Sequence, residues 1–153
     1  MTLKKIGKTG SPPFLQLEGS IGVSGDLGDL KTGSKYRKET INTIKTNLSN
    51  CMRNDSFEPF RESQIDLAIV IKLSPGRLKR QDTDNIAKVL CDALKKRKGD
   101  NRFLLNDDSQ IVRLLVWKIL RVEDPFYDTD SYDISFRLHE GNRPMILIEP
   151  DII

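Results

Sequence analysis

The stretch Ile65-Asp66-Leu67-Ala68-Ile69-Val70-Ile71-Lys72-Leu73 most constrains the fold of this chain. Apolar residues recur at every second position, while Asp66 and Lys72 fall on the intervening ones. That two-residue period places one side of an extended segment against a core. Pro75-Gly76 then ends the strand, which the pattern sets at 64–73. A different period follows at once. Ile86, Val89, Leu90, Ala93, Leu94 and Arg97 recur at helical spacing from Asp84, a candidate N-cap, to the basic run Lys95–Lys98, where the helix dipole favours positive charge. Gly99-Asp100-Asn101 is the expected break. An apolar strand that feeds an amphipathic helix is half of an α/β unit.

The rest of the 153 residues fits around this unit. Residues 14–23 partly alternate and read as a first strand. Ser24 to Ser34, rich in Gly, Asp and Ser, reads as a loop. Ile41, Ile44, Leu48 and Met52 mark one face of a helix over 35–52, and polar residues 53–63 read as a connection. Gln110 to Val122 is a long strand with Val112, Leu114, Val116, Leu120 and Val122 on one face and Leu115, Trp117 and Ile119 on the other. A strand apolar on both faces is covered twice or meets another subunit. After a polar loop around Pro125, Tyr132, Ile134, Phe136 and Leu138 alternate and are expected to pair antiparallel with the strand before them. Residues 145–148 are a candidate edge strand. The expected fold is a single small α/β (α+β) domain over 1–153, ordered β-α-β-α-β-β, with a mixed sheet and helices packed on one side. Residues 1–12 and 140–153 are expected at its periphery.

Composition excludes several classes. No apolar run approaches the ~20 residues of a membrane helix, and no apolar stretch follows Lys4, Lys5 and Lys8, so neither a membrane span nor a secretory signal is expected. Cys51 and Cys91 lie far apart with no CxxC spacing, which fits a reduced, cytoplasmic protein. Cys91, inside a helical pattern, reads as a small packing residue. One histidine, His139, leaves no His-based zinc site or nucleophilic triad, and it is expected at the surface or a strand edge. Net charge is only +3, but residues 76–103 hold nine Lys/Arg against four acids, whereas residues 123–153 hold eight acids against two arginines.

The basic excess surrounds an acidic motif. Asp82 and Asp84 alternate where strand meets helix, Lys88 lies one turn beyond Asp84 on the same face, Asp92 one turn further, and Asp107-Asp108 waits in the next turn. Taken singly these are ordinary caps, turns and i,i+4 partners. Taken together, Asp82, Asp84 and Asp108 would repel one another without a cation, and oxygen-only donors suit Mg²⁺ or Mn²⁺. A positive rim around such a centre suits a phosphodiester. Spacing alone leaves open whether the start of the helix and the 107–108 turn meet within one chain or across two.

The composite Asp82-Thr83-Asp84-Asn85-Ile86-Ala87-Lys88, with Asp92-Ala93-Leu94 and Asn106-Asp107-Asp108-Ser109-Gln110-Ile111-Val112, resembles the RusA family of Holliday-junction resolvases, small endonucleases of bacteria and their prophages. The resemblance covers roughly residues 64–138. It implies an intertwined homodimer that binds four-way DNA junctions and makes paired, Mg²⁺-dependent nicks, with Mn²⁺ as a substitute. By position, Asp82, Asp84 and Asp108 would be catalytic metal-binding carboxylates, with Asp107 as a neighbour, and Lys88 the essential lysine. Arg77, Lys79 and Arg80, with Lys95, Lys96, Arg97 and Lys98, would face DNA. The chain departs from the family pattern in two places: no Pro-Pro-Ser-x-Asn segment follows its first strand, and residues 95–105 are longer and more basic. The alternatives are a branched-DNA-binding protein without catalysis, and a phosphohydrolase of small esters, for which the basic stretch is oversized.

Overall fold

The computed structural model describes residues 2–9, 14–24, 35–53, 60, 63–80, 82–100, 102–120 and 131–140. Strands β1 (Thr2–Thr9) and β2 (Phe14–Ser24) precede helix α1 (Lys35–Arg53). Strand β3 (Ile65–Leu73), the short helix α2 (Pro75–Arg80) and helix α3 (Thr83–Leu94) follow. A 3₁₀ turn, Asp108–Gln110, leads into β4 (Ile111–Leu120), and β5 (Ser131–Glu140) completes the described elements. The five strands form one mixed sheet in the order β1-β2-β5-β3-β4. Only β3 and β4 run parallel, joined by the α2–α3 crossover that a parallel pair requires.

One face of the sheet carries the core. Register sets Ile134, Phe136 and Leu138 of β5 opposite Ile71, Ile69 and Leu67 of β3, and all six are buried. Helix α1 adds Ile44, Leu48 and Met52; α3 adds Ile86, Val89, Leu90, Ala93 and Leu94. The two helices also pack on each other, so both cover the same side. Phe60, Leu104 and Leu105 close the end of this layer. Phe136 lies so close over Gly19 of β2 that only a residue without a Cβ fits beneath its ring. On the opposite face a polar row crosses three strands, with Asp66 of β3 paired to Arg113 on one side (3.8 Å) and aligned with His139 on the other. No helix among the described residues is long and apolar enough to cross a membrane.

Several expectations need correction. β5 does not pair with β4; it inserts antiparallel between β2 and β3, leaving β4 at an edge. His139 is therefore buried in an interior strand, and burial pushes its imidazole below the usual histidine range. The N-cap position of α3 is Asp82, and Asp84 lies in the first turn. The helix stops at Leu94, so Lys95 is its C-cap and Lys96–Lys98 lie beyond it. There the chain turns away to make a parallel bridge between Lys95 and Leu105, and the Leu104 and Leu105 amides both donate to the Leu94 carbonyl. No strand is expected before residue 14, yet Thr2–Thr9 forms β1, an edge strand on β2. Most of the loops assigned to 24–34, 53–63 and around Pro125, and the candidate strand 145–148, lie outside the described residues.

Candidate metal centre

Helix α3 presents Asp84, Lys88 and Cys91 at spacings of four and three residues, hence on one face. That face looks onto β4 across a cleft with Ala87, Ile111, Leu114 and Val116 in its apolar walls. Asp84, Lys88, Asp92 and Asp108 supply the polar lining, joined by Arg37 from α1. The question left open by spacing is thereby answered: the start of α3 and the 107–108 turn meet within one chain. They meet because β4 runs parallel to β3, so the turn entering β4 returns to the sheet beside the crossover helix.

The turn itself is held by one carboxamide. Gln110 Oε1 accepts the backbone amides of Asn106 (2.7 Å) and Asp107 (3.1 Å). Its Nε2 donates to the carbonyls of Phe60 (2.9 Å) and Ser63 (3.0 Å). Asp108 is thus presented to the cleft by a turn stitched to a distant part of the chain. The neighbouring Asp107 carboxylate accepts the Ser109 hydroxyl, which holds it below the usual carboxylate range, and it does not line the cleft. Asp82, exposed at the N-cap of α3, is not in the cleft lining either.

A chain of ion pairs crosses the cleft. Arg37 pairs with Asp92 Oδ2. Lys95 Nζ lies 3.2 Å from Asp92 Oδ1 and 3.4 Å from Asp108 Oδ2, and its hydrogen bond to Asp92 raises it above the usual lysine range. Three carboxylates (Asp84, Asp92, Asp108) are thus balanced by three cations (Arg37, Lys88, Lys95). Among the described residues, Asp92 and Asp108 are met by ion pairs and Asp84 is not. Neither Asp84 nor Lys88 has an ion pair among the described residues, so the i,i+4 pair that their spacing allows is not made.

Among the described residues no three His, Cys, Asp or Glu side chains gather closely enough to enclose an ion. The donor chemistry nevertheless fits Mg²⁺ or Mn²⁺. Such ions take one or two protein carboxylates and complete their shell with water and substrate phosphate oxygens, and Asp84 and Asp108 line one open cleft. The soft donor in the cleft lining is withdrawn: burial, then the charges of Asp108 and Asp92, push the Cys91 thiol up to about 11, so it stays protonated at neutral pH.

The basic residues divide by environment. Lys79, Lys96, Arg97 and Lys98 are exposed, while Lys95 is half-buried. Lys96 lies 5.3 Å from the centroid of the Phe103 ring. Arg97 donates to Asn42 Oδ1 (2.8 Å). A second cleft, between α1 and α3, has Lys38, Asn42, Asp92, Lys95 and Arg97 in its lining. Arg77 and Arg80 belong to α2, just before the motif. The α1 contributions carry no signal in the sequence, because the partners of Arg37 and Asn42 lie 55 residues away and α1 bears no recognisable motif.

The sequence matches the family described as endodeoxyribonuclease RusA over residues 29–126, well over half of the chain. The chain belongs to that family. The match begins before α1 and ends beyond β4, so it takes in every element that builds the cleft. No curated protein matches the chain.

Proposed function

We propose that this protein is a structure-selective endodeoxyribonuclease that resolves four-way DNA junctions by metal-dependent phosphodiester hydrolysis. The observation that carries the reading is the convergence of Asp84, Lys88 and Asp108 on one cleft in a chain of the RusA family.

Asp84 and Asp108 are the carboxylates that would hold Mg²⁺ or Mn²⁺, with Asp82 added from the start of α3 and Asp107 as a lesser neighbour. A bound ion supplies Lewis-acid polarisation of the phosphoryl oxygen and a water acidic enough to attack at neutral pH. Lys88, one turn from Asp84 and without a competing ion pair among the described residues, offsets charge that develops on the phosphate oxygens or on the leaving oxygen. Ala87, Leu114 and Val116 wall the cleft with apolar surface, which strengthens every charge interaction inside it. Arg77, Lys79 and Arg80 on α2, with Arg97, Lys96 and Lys98 on the loop after α3, lie on either side of the site along the chain and suit contacts to flanking phosphates. The working unit is a homodimer, which gives two clefts for two nicks. Its setting is the cytoplasm, where Cys51 and Cys91, both free thiols, stay reduced.

The test incubates the protein with a labelled four-way junction and a matching linear duplex in Mg²⁺, Mn²⁺ or EDTA, beside Asp84→Asn. Paired nicks in the junction alone are expected with either metal, falling about 10²–10³-fold in the variant while junction binding persists. Binding without cutting in any metal would leave a non-catalytic junction-binding protein. Strong residual cutting by Asp84→Asn would remove that aspartate from the mechanism.

A further inference from the structure

Of the four consecutive basic residues after α3, one is turned inward. The Lys95 backbone is clamped on both sides: its N–H donates to the Cys91 carbonyl (3.2 Å), its own carbonyl accepts Lys45 Nζ (2.6 Å), and the next amide donates to Leu105 (2.7 Å). Fixed there, the side chain points back to Asp92 and Asp108. Asp92 already has a cation, because Arg37 pairs with its other oxygen. The Lys95 ammonium is therefore the charge that answers Asp108, on the rim that Asp84 shares. Lys96 sits over Phe103 instead, Arg97 is committed to Asn42 and Asp100, and Lys98 is exposed.

We infer that Lys95 is a tethered counter-ion of Asp108 that a divalent cation displaces, so that this lysine sets the affinity of the cleft for the ion. The inference rests on the proposed metal role of Asp84 and Asp108. Its physical basis is competition. The Lys95 ammonium, 3.4 Å from Asp108 Oδ2, holds the carboxylate that the ion would use, and that contact would be given up on binding. A half-exposed pair of this kind is worth little in absolute terms, which makes it displaceable rather than a lock. With Lys95 in place the cleft is neutral before the ion arrives; without it, the cleft carries a net negative charge.

The experiment titrates Mn²⁺ into the full chain without DNA and follows the loss of the free-ion electron paramagnetic resonance signal. Lys95→Met should bind Mn²⁺ more tightly by about two- to fivefold, the range expected for losing one such competing pair. Lys96→Met removes the same charge one residue away and should bind close to wild type. Lys95→Arg keeps the cation and should restore the weaker affinity. Equal affinities for Lys95→Met and Lys96→Met, or tightening by Lys95→Arg equal to that by Lys95→Met, would overturn the inference. Asp84→Asn and Asp108→Asn separate this from the underlying reading. If both bind Mn²⁺ as wild type does, the metal assignment fails and the inference falls with it; if both weaken binding while Lys95→Met does not tighten it, only the inference fails.

Discussion

Gln110 shows how much of the site rests on a residue that does no chemistry. Its carboxamide uses two acceptor and two donor positions at once, joining the Asn106–Asp107 amides to the Phe60 and Ser63 carbonyls. Truncation to alanine takes the side-chain donor from the partly buried Phe60 and Ser63 contacts, and the turn bearing Asp108 loses its anchor. Gln110→Ala should lower unfolding stability by about 1–3 kcal/mol, read as a lower urea midpoint at unchanged slope. A midpoint equal to wild type would mean that water replaces all four bonds. The sequence names Gln110 within the motif but gives no hint of its task, because two of its partners lie 47 and 50 residues away. The candidate site was legible in the opposite way. Asp84 and Lys88 were readable as neighbours because carboxylate and lysine at helical spacing suggest a shared face, whereas spacing left open whether Asp108 joins them within one chain. Arg37 and the inward turn of Lys95 were not, since both depend on how α1 and the 95–105 loop pack.

At the scale of elements, the two-residue and helical periods found β2, α1, β3 and α3 and the faces that they bury. They did not find strand neighbours. Alternation in Tyr132–Leu138 states that one side is apolar; it does not say which strands lie alongside, and β5 satisfies its pattern between β2 and β3 as well as it would beside β4. β1 was missed because Thr2–Thr9 has no apolar alternation, being held by its ladder to β2. The close approach of β2 and β5 at Gly19 also depends on this insertion. A Cβ at position 19 would lie 2.1 Å from Cζ of Phe136, and that ring is only 3% exposed, so it has nowhere to move. Gly19→Ala should therefore destabilise the fold by about 1–3 kcal/mol through overpacking, lowering the melting temperature. Adding Phe136→Leu should recover part of the loss by vacating the space. An unaltered melting temperature in the single variant would show that the β2–β5 contact is looser than described.

For the whole molecule, inserting β5 into the middle of the sheet has a consequence at its margin. Among the described strands β4 becomes the last, and it is ten residues long and mostly apolar. Val112, Leu114 and Leu120 are 48%, 46% and 40% exposed. A long, apolar, open edge is a liability that proteins cover, and a second copy of the same strand is the cover that needs no other partner. An isologous contact of β4 with β4 would obey twofold symmetry. Because Leu114 lies both in the exposed β4 surface and in the wall of the cleft, such a contact would bring two clefts close to one interface, as paired nicking of a symmetric junction requires. Light scattering at micromolar concentration should then give about 35 kDa, twice the 17.4 kDa chain. Val112→Lys with Leu120→Lys, which leaves the cleft lining intact, should shift the mass to that of one chain, because a buried pair of lysines at the symmetric contact pays desolvation and like-charge repulsion together. Such a monomer should retain Mn²⁺ binding, which depends on one cleft, but lose the paired character of its nicks. A dimeric mass unchanged by both lysines would move the interface away from β4, while a monomeric wild type would break the link between the open edge and a twofold enzyme.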